Sequence, residues 1–192
     1  MKEVIIFGGS FNPPTHAHVG VIEHCLAEPE IDEVWVMPSG DRFDKQYSTT
    51  DDQRMAMLGI IKAMVFPDEN KLHITDFELR LPRPTTTYQT IGALGIAHPD
   101  TRFWFAFGAD AYHGMPTWDK GLQLQQELPM YILPRDGYTP PQAPNIRLLP
   151  PVRHETSSTI AREAAVQGQP LEKIVPRAIA RHIEAQRLYA AV

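Results

Sequence analysis

The sequence predicts an α/β protein: a parallel β-sheet with helices on both faces, followed by a small helical C-terminal part. Three observations predict it. Short apolar runs alternate with stretches of helical period along most of the chain. The spacing from one apolar run to the next is that of βαβ units, which makes the strands parallel. Four runs stop at glycine or proline: Phe7-Gly8, Met37-Pro38, Phe107-Gly108 and Leu133-Pro134. In a Rossmann-like sheet of this kind, ligands bind beyond the carboxyl ends of the strands, near the switch in strand order. The 192 residues suit one domain, with a core over 1–150 and a helical part over 151–192.

Each element follows in order. The run over 4–7 is a buried strand closed by Gly8-Gly9. Beyond Pro13-Pro14, a helix places Val19, Ile22, Cys25 and Leu26 on one face. A second strand spans 33–37. A helix over 51–65 starts at Thr50 and Gln53, a capping-box spacing, and its apolar face holds Met57, Leu58, Ile61, Met64 and Val65. A third strand is expected over 72–77, a helix over 87–97 and an aromatic strand over 102–107. A helix over 117–128 and a strand over 130–133 come next. Six prolines (Pro134, Pro140, Pro141, Pro144, Pro150 and Pro151) leave room for one short strand, over 146–148. Helices over 159–166 and 177–188 close the chain, with Pro176 suited to a first turn. No internal repeat is visible.

Composition narrows the function classes. Apolar residues make up 43% and charged residues 21%, enough to build a core and against disorder. A formal net charge of −5 argues against a broad basic face for nucleic acid, so no nucleic-acid partner is expected. The single cysteine, Cys25, sits on an apolar helix face, where it reads as inert core and rules out an internal disulfide. No run approaches the roughly 18 apolar residues that suggest a membrane span. The run over 4–7 is too short for a signal-peptide core, which makes the cytoplasm the expected location. No pattern specifies an oligomeric state.

Two segments carry chemistry. The first is Gly8-Gly9-Ser10-Phe11-Asn12-Pro13-Pro14-Thr15-His16-Ala17-His18, between a strand and a helix. Glycines admit a ligand close to the backbone, and the helix N-terminus offers N–H groups and a positive dipole end to a phosphate. The spacing is not Gly-x-Gly-x-x-Gly, so hydride transfer gains no support. The second is Thr156-Ser157-Ser158-Thr159-Ile160-Ala161-Arg162, three hydroxyls and a hydroxyl-capped first turn ahead of an arginine. Hydroxyls, amides and a guanidinium fork all bind phosphate oxygens. Taken singly, the first reads as a glycine turn and the second as an N-cap with a surface arginine. A metal pair at His16 and His18 finds no third ligand of suitable spacing. His73 and His98 read as surface residues, and His113 lies near the expected ligand edge.

Together the segments resemble the nucleotidylyltransferase superfamily. Thr15-x-x-His18 matches its phosphate-binding motif, with Ala17 where glycine is more usual. Ser157-Ser158-Thr159-x-x-Arg162 matches its second signature, with Ala161 where isoleucine is more usual. They stand in the right order, about 140 residues apart. Between them come Asp76-Phe77-Glu78-Leu79-Arg80, Pro84-Thr85-Thr86-Thr87, Gly108-Ala109-Asp110, Pro116-Thr117-Trp118 and Pro134-Arg135. This series resembles the bacterial nicotinate-mononucleotide adenylyltransferases. The related pantetheine-phosphate enzymes share the first motif and are not expected to carry the series.

The resemblance implies ATP and nicotinate mononucleotide as substrates, deamido-NAD and pyrophosphate as products, and Mg²⁺ brought in with ATP. It implies that Gly9, Ser10, Phe11, Thr15, Gly108 and Thr159 line the ATP site. His18 would contact the α-phosphate, with Arg162 as the second catalytic group. Ser158 and Arg162 would hold ATP phosphates, as would Lys45, although Ser39-Gly40-Asp41-Arg42-Phe43-Asp44 departs from the usual proline-rich form. Asp110 would bond a nucleotide sugar. Thr87 and Trp118 would hold the pyridine ring, Trp118 by stacking. His16 falls on a variable position and takes no role, and no protein metal site is implied. The alternatives are nicotinamide mononucleotide or another phosphate as acceptor, or a non-catalytic nucleotide-binding protein of the same fold. A tRNA synthetase, which uses a similar two-motif site, would need a longer and less acidic chain.

Overall fold

A computed structural model describes residues 1–40, 47–139, 141–152 and 156–190. Among them, six strands form one sheet: β1 (Lys2–Gly9), β2 (Glu33–Pro38), β3 (Leu72–Ile74), β4 (Thr101–Gly108), β5 (Met130–Leu133) and β6 (Ile146–Leu148). Their order is β3-β2-β1-β4-β5-β6, and every pairing is parallel. From β1 the chain steps outward through β2 to β3, then crosses back to β4 on the other side of β1. The strand order therefore switches between β1 and β4, and the carboxyl ends of these two strands border the crevice where such sheets bind ligands.

Strand alternation builds two cores. Ile5, Phe7, Val34, Val36, Trp104, Ala106, Tyr131 and Leu133 face one way. Against them pack α1 (His16–Leu26), α2 (Asp51–Val65), α6 (Ser158–Val166) and α7 (Arg177–Ala185). Val4, Ile6, Met37, Phe105, Met130 and Ile132 face the other way, under α3 (Thr87–Ala97), α4 (Ala109–Gly114) and α5 (Gly121–Glu127). Strands buried on both faces explain why their sequences are apolar throughout rather than alternating. Gly20 of α1 brings the C-terminal part into place. A Cβ there would meet Val152 Cγ1 at 2.8 Å, so the bare backbone lets the segment after β6 lie against α1.

Several elements differ from the expected ones. β3 stops at Ile74 because Thr75 Oγ1 accepts the Phe77 N–H (3.2 Å) and turns the chain, after which Glu78–Arg80 coil into a short 3₁₀ segment. The helix expected over 117–128 begins only at Gly121. Lys120 has φ +54°, and Trp118 and Gly121 close successive turns through Met115 O and Trp118 O. α4 was not expected. α7 ends at Ala185, three residues early, in a Schellman motif: Arg187 has φ +50°, its N–H bonds Glu184 O, and Leu188 N–H bonds Ile183 O. Met64, expected on the apolar face of α2, is 67% exposed. His98, expected on the surface, is half-buried, edge-on to Trp35 with centroids 5.1 Å apart. No helix among the described residues is long and apolar enough to cross a membrane.

Candidate active site

Two clefts open at the switch in strand order. The larger, about 920 Å³, runs from Phe7 and Gly8 past His18, Gly108 and Asp110 to Ser158 and Thr159. The smaller, about 520 Å³, is walled by Gly9, Ser10, Glu78, Thr87, Trp118 and Asp119, among others. Gly8, Phe107 and Ala111 line both, so the clefts meet over the ends of β1 and β4.

His18 stands in the first turn of α1 and faces the larger cleft. Thr15 caps the helix, and its N–H donates to His18 Nδ1 (2.9 Å), with Thr15 Oγ1 also 2.9 Å from that nitrogen. An Nδ1 that accepts leaves the proton on Nε2, a donor for whatever occupies the cleft. Burial, with the charge of Arg135 adding to it, lowers the imidazole pKa to about 4, so His18 is neutral at pH 7. Phe11 flanks the ring at 5.1 Å.

One expectation for this helix fails. The N-terminal amides of α1 are not available to a phosphate: His16 N–H bonds Ile174 O (3.0 Å) and Ala17 N–H bonds Thr156 Oγ1 (3.1 Å). The N-terminus that opens onto the larger cleft is that of α6. Ser157 caps it by accepting the Ile160 N–H (3.2 Å), and the Ser158 and Thr159 amides have no partner among the described residues. Ser158 Oγ donates to Pro13 O (2.8 Å). Arg162 is turned toward the first motif, donating to Asn12 O (2.8 Å) and Thr159 Oγ1 (3.2 Å), and is not on the cleft wall. Across the cleft, Asp110 lies 3.8 Å from Arg135. Gly108 beside them leaves room for the Asp110 carboxylate, which a Cβ there would push aside.

The remaining expected residues sort as follows. Gly9 and Ser10 line the smaller cleft, not the larger one. Phe11 and Thr15 are fully buried, on neither wall, and Thr15 reaches the larger cleft only through His18. Lys45 lies outside the described residues. Thr87 and Trp118 both line the smaller cleft, where the half-buried indole packs edge-on to Phe107 with centroids 5.8 Å apart. Thr86 caps α3, and the Thr87 and Tyr88 amides have no partner among the described residues. The two carboxylates of this cleft are engaged: Glu78 accepts from Gly40 N–H (2.9 Å) and Thr90 Oγ1 (3.1 Å), and Asp119 from Thr86 Oγ1 (2.9 Å). His16 Nε2 lies 2.9 Å from Glu172 O, away from both clefts. His113 Nε2 lies 2.9 Å from Thr139 O, beside Tyr138 of the larger cleft. Among the described residues, no group of three His, Cys, Asp or Glu side chains is placed to hold a metal ion.

Residues 6–164 match the sequence model of the cytidylyltransferase-like family. The chain belongs to that family. A probable nicotinate-nucleotide adenylyltransferase of Shouchella clausii is 29% identical over 191 residues, covering 98% of this chain and 97% of that protein. One from Geobacillus thermodenitrificans is 28% identical over 193 residues, covering 100% of this chain and 88% of its own. Among solved structures, the nicotinic acid mononucleotide adenylyltransferase of Plasmodium falciparum complexed with NaAD superposes with a TM-score of 0.85 at 25% identity, covering 98% of both chains.

In this member of the family, two motif residues to which the sequence assigned no role, Arg135 and Asn12, support the site, and a third group, Arg54, was missed. Arg135 lines the larger cleft and faces His18 with a positive charge. Asn12 is buried, and its Oδ1 accepts from Thr49 Oγ1 (2.8 Å) and Tyr189 OH (2.7 Å). Arg54 is fully buried beneath the smaller cleft. A signal for Arg54 existed: it falls on the apolar stripe of α2 with Met57, Leu58 and Ile61, where a charge has to find partners inside the protein.

Proposed function

We propose that the chain transfers the adenylyl group of ATP to nicotinate mononucleotide, giving deamido-NAD and pyrophosphate, a step of NAD synthesis. The observation that carries this reading is the meeting of two clefts over Gly8, Phe107 and Ala111, with His18 on the wall of the larger. Direct transfer needs two phosphates brought together, and effective concentration at such a junction is a large part of catalysis. ATP occupies the larger cleft, its phosphates toward His18 and the α6 N-terminus and its ribose near Asp110. The mononucleotide occupies the smaller cleft, its ring against Trp118 and Thr87.

A phosphate oxygen of the mononucleotide attacks the α-phosphorus of ATP. That P–O bond forms as the bond from the α-phosphorus to the α,β-bridging oxygen breaks, and the electron pair leaves with pyrophosphate. The nucleophile is already an anion, so no general base is required. His18 Nε2–H donates to the α-phosphoryl oxygen as charge builds there. Because His18 is neutral, it acts as a fixed donor and loses no proton. Arg162, which donates to Asn12 O and Thr159 Oγ1 beside the α6 N-terminus, is the second charge assigned to the phosphates. ATP enters as its Mg²⁺ complex, with the ion held by phosphates and water. A cytoplasmic enzyme fits a chain whose one cysteine is buried.

The acid is favoured over the amide as acceptor because the α3 N-terminus presents the Thr87 and Tyr88 amides, donors suited to a carboxylate. The test is pyrophosphate release with ATP, Mg²⁺ and either mononucleotide. Rapid release with the acid form and little with the amide form is expected. Release with neither would leave a nucleotide-binding fold without this activity.

A further inference from the structure

Among the described residues, Arg54 is the one charged side chain that is fully buried. A buried charge is tolerated only when it is bonded, so the direction of its bonds is informative. Nη1 donates to Ser10 O (3.1 Å) and Ser39 O (2.8 Å), and Nη2 donates to Asp51 Oδ1 (2.5 Å). The Tyr47 ring covers the guanidinium 4.3 Å away, and Tyr47 OH lies 2.9 Å from Ser39 Oγ. The other oxygen of Asp51 pairs with Arg83, which also donates to Leu79 O (3.0 Å). Leu79 belongs to the 3₁₀ segment that carries Glu78, and Glu78 in turn holds the Gly40 N–H.

The line Arg54–Asp51–Arg83 thus reaches the segments that follow β1, β2 and β3, three adjacent strands. Ser10, Ser39, Tyr47 and Glu78 all face the smaller cleft, whereas none of the three charged residues lines either cleft. The protein has placed a buried charge directly behind one cleft, bonded to the backbone of its walls. We propose that Arg54 is a positioning residue for the mononucleotide: with Asp51 and Arg83 it holds the ends of β1, β2 and β3 at the spacing that admits this substrate. The identity of the ligand rests on the adenylyltransferase reading. A guanidinium is required because two carbonyls and a carboxylate must be held from one plane, and a lysine ammonium does not reproduce that fork.

A merely structural arginine would lower stability and weaken both substrates alike. The decisive experiment compares wild type with Arg54→Lys, Asp51→Asn and Arg83→Lys. The dissociation constants of nicotinate mononucleotide and of ATP are measured by calorimetry, alongside both KM values and the urea midpoint. Arg54→Lys is expected to raise Kd and KM for the mononucleotide by about tenfold or more, the scale of one lost charge-assisted bond, with ATP values within about twofold. Arg83→Lys should act in the same direction by about threefold, because its pair is partly exposed. Equal changes for both substrates, or unchanged mononucleotide binding with only a lower urea midpoint, would overturn the proposal. If Arg54→Lys does not fold, the two other variants decide by the same ratio, and an unshifted ratio in both rejects it. Wild type that binds ATP but no mononucleotide would instead sink the functional reading, and with it the ligand assigned here.

Discussion

The two clefts share a wall and are built in opposite ways. The larger presents functional groups directly: an imidazole N–H, a hydroxyl-rich helix N-terminus and the Arg135 cation. The smaller is lined by backbone, hydroxyls, one indole and two carboxylates that accept from the protein's own donors, and keeps its cations behind the wall, in Arg54 and Arg83 with Asp51 between them. The difference follows from their tasks. A triphosphate whose charge shifts during the reaction is best met by donors aimed at it. A ring and its ribose need shape, which is a matter of holding loops apart. Chemistry should therefore be sensitive to single side chains in the larger cleft, and binding to single side chains in the smaller.

The largest break in that comparison should come from His18. Replacing it with alanine removes the Nε2–H donor that the proposed mechanism directs at the α-phosphate and should lower kcat by about 100-fold or more, the usual scale for one such donor. Pyrophosphate release at saturating substrates measures it, and a fully active variant would remove His18 from the mechanism. The same residue carries a pH signature. Its folded pKa of about 4 lies below the unfolded value of 6.5, so the unfolded chain takes up the proton first as pH falls. The stability of neutral burial is complete above pH 6.5 and drains away down to about pH 4, by at most about 3 kcal/mol because the ring is partly open to the cleft. Urea unfolding at pH 7 and pH 4.5 should show a smaller acid loss in His18→Gln than in wild type. Equal losses would place the acid sensitivity elsewhere.

The contrast between clefts also explains what the sequence made legible. The sheet and most helices were readable because strands buried on both faces and caps such as Thr50 with Gln53 leave local marks. The stretch 109–120 was not, because its turns depend on Lys120 at positive φ and on Met115 O and Trp118 O as acceptors, none of which has a local pattern. Of the residues singled out in the sequence, His18, Asp110, Ser158 and Thr159 line the larger cleft. What was unreadable is which helix offers its amides: α1 spends its own on Ile174 and Thr156, partners that lie more than 130 residues away in the chain. In the smaller cleft, Thr87 and Trp118 were readable, while the frame behind them was not: Arg54 and Asp51 are neighbours on α2, but they meet Arg83, Ser10 and Ser39 only through the sheet order.

A sharper test of the smaller cleft is Trp118→Ala. A base-sized ring stacked on an aromatic side chain is worth about 1–3 kcal/mol, so KM for the mononucleotide should rise by about 5-fold to 150-fold. KM for ATP should stay within about twofold, because Trp118 is absent from the larger cleft. A matching rise in both would mean that Trp118 acts by holding Phe107, which lines both clefts.

The smallest effect should come from the C-terminal segment, and it shows how far the ATP side depends on support from a distance. Tyr189 is half-buried, and its hydroxyl donates to Asn12 Oδ1 at 2.7 Å, while the backbone oxygen of the same Asn12 accepts from Arg162 at 2.8 Å. Tyr189→Phe deletes one donor without orphaning its acceptor, since Thr49 Oγ1 still donates to Asn12 Oδ1 at 2.8 Å. The stability cost should therefore stay near that of an ordinary hydrogen bond, about 1 kcal/mol, or about 2–4 °C in Tm for a chain of this size. Because Asn12 is tied to the arginine of the second motif, KM for ATP should rise by a few-fold at most, and by more than KM for the mononucleotide. The opposite ranking would show that Asn12 serves the smaller cleft, through the bond its Nδ2 donates to Ser48 Oγ on the approach to α2, and would move the boundary between the two clefts to the other side of that asparagine.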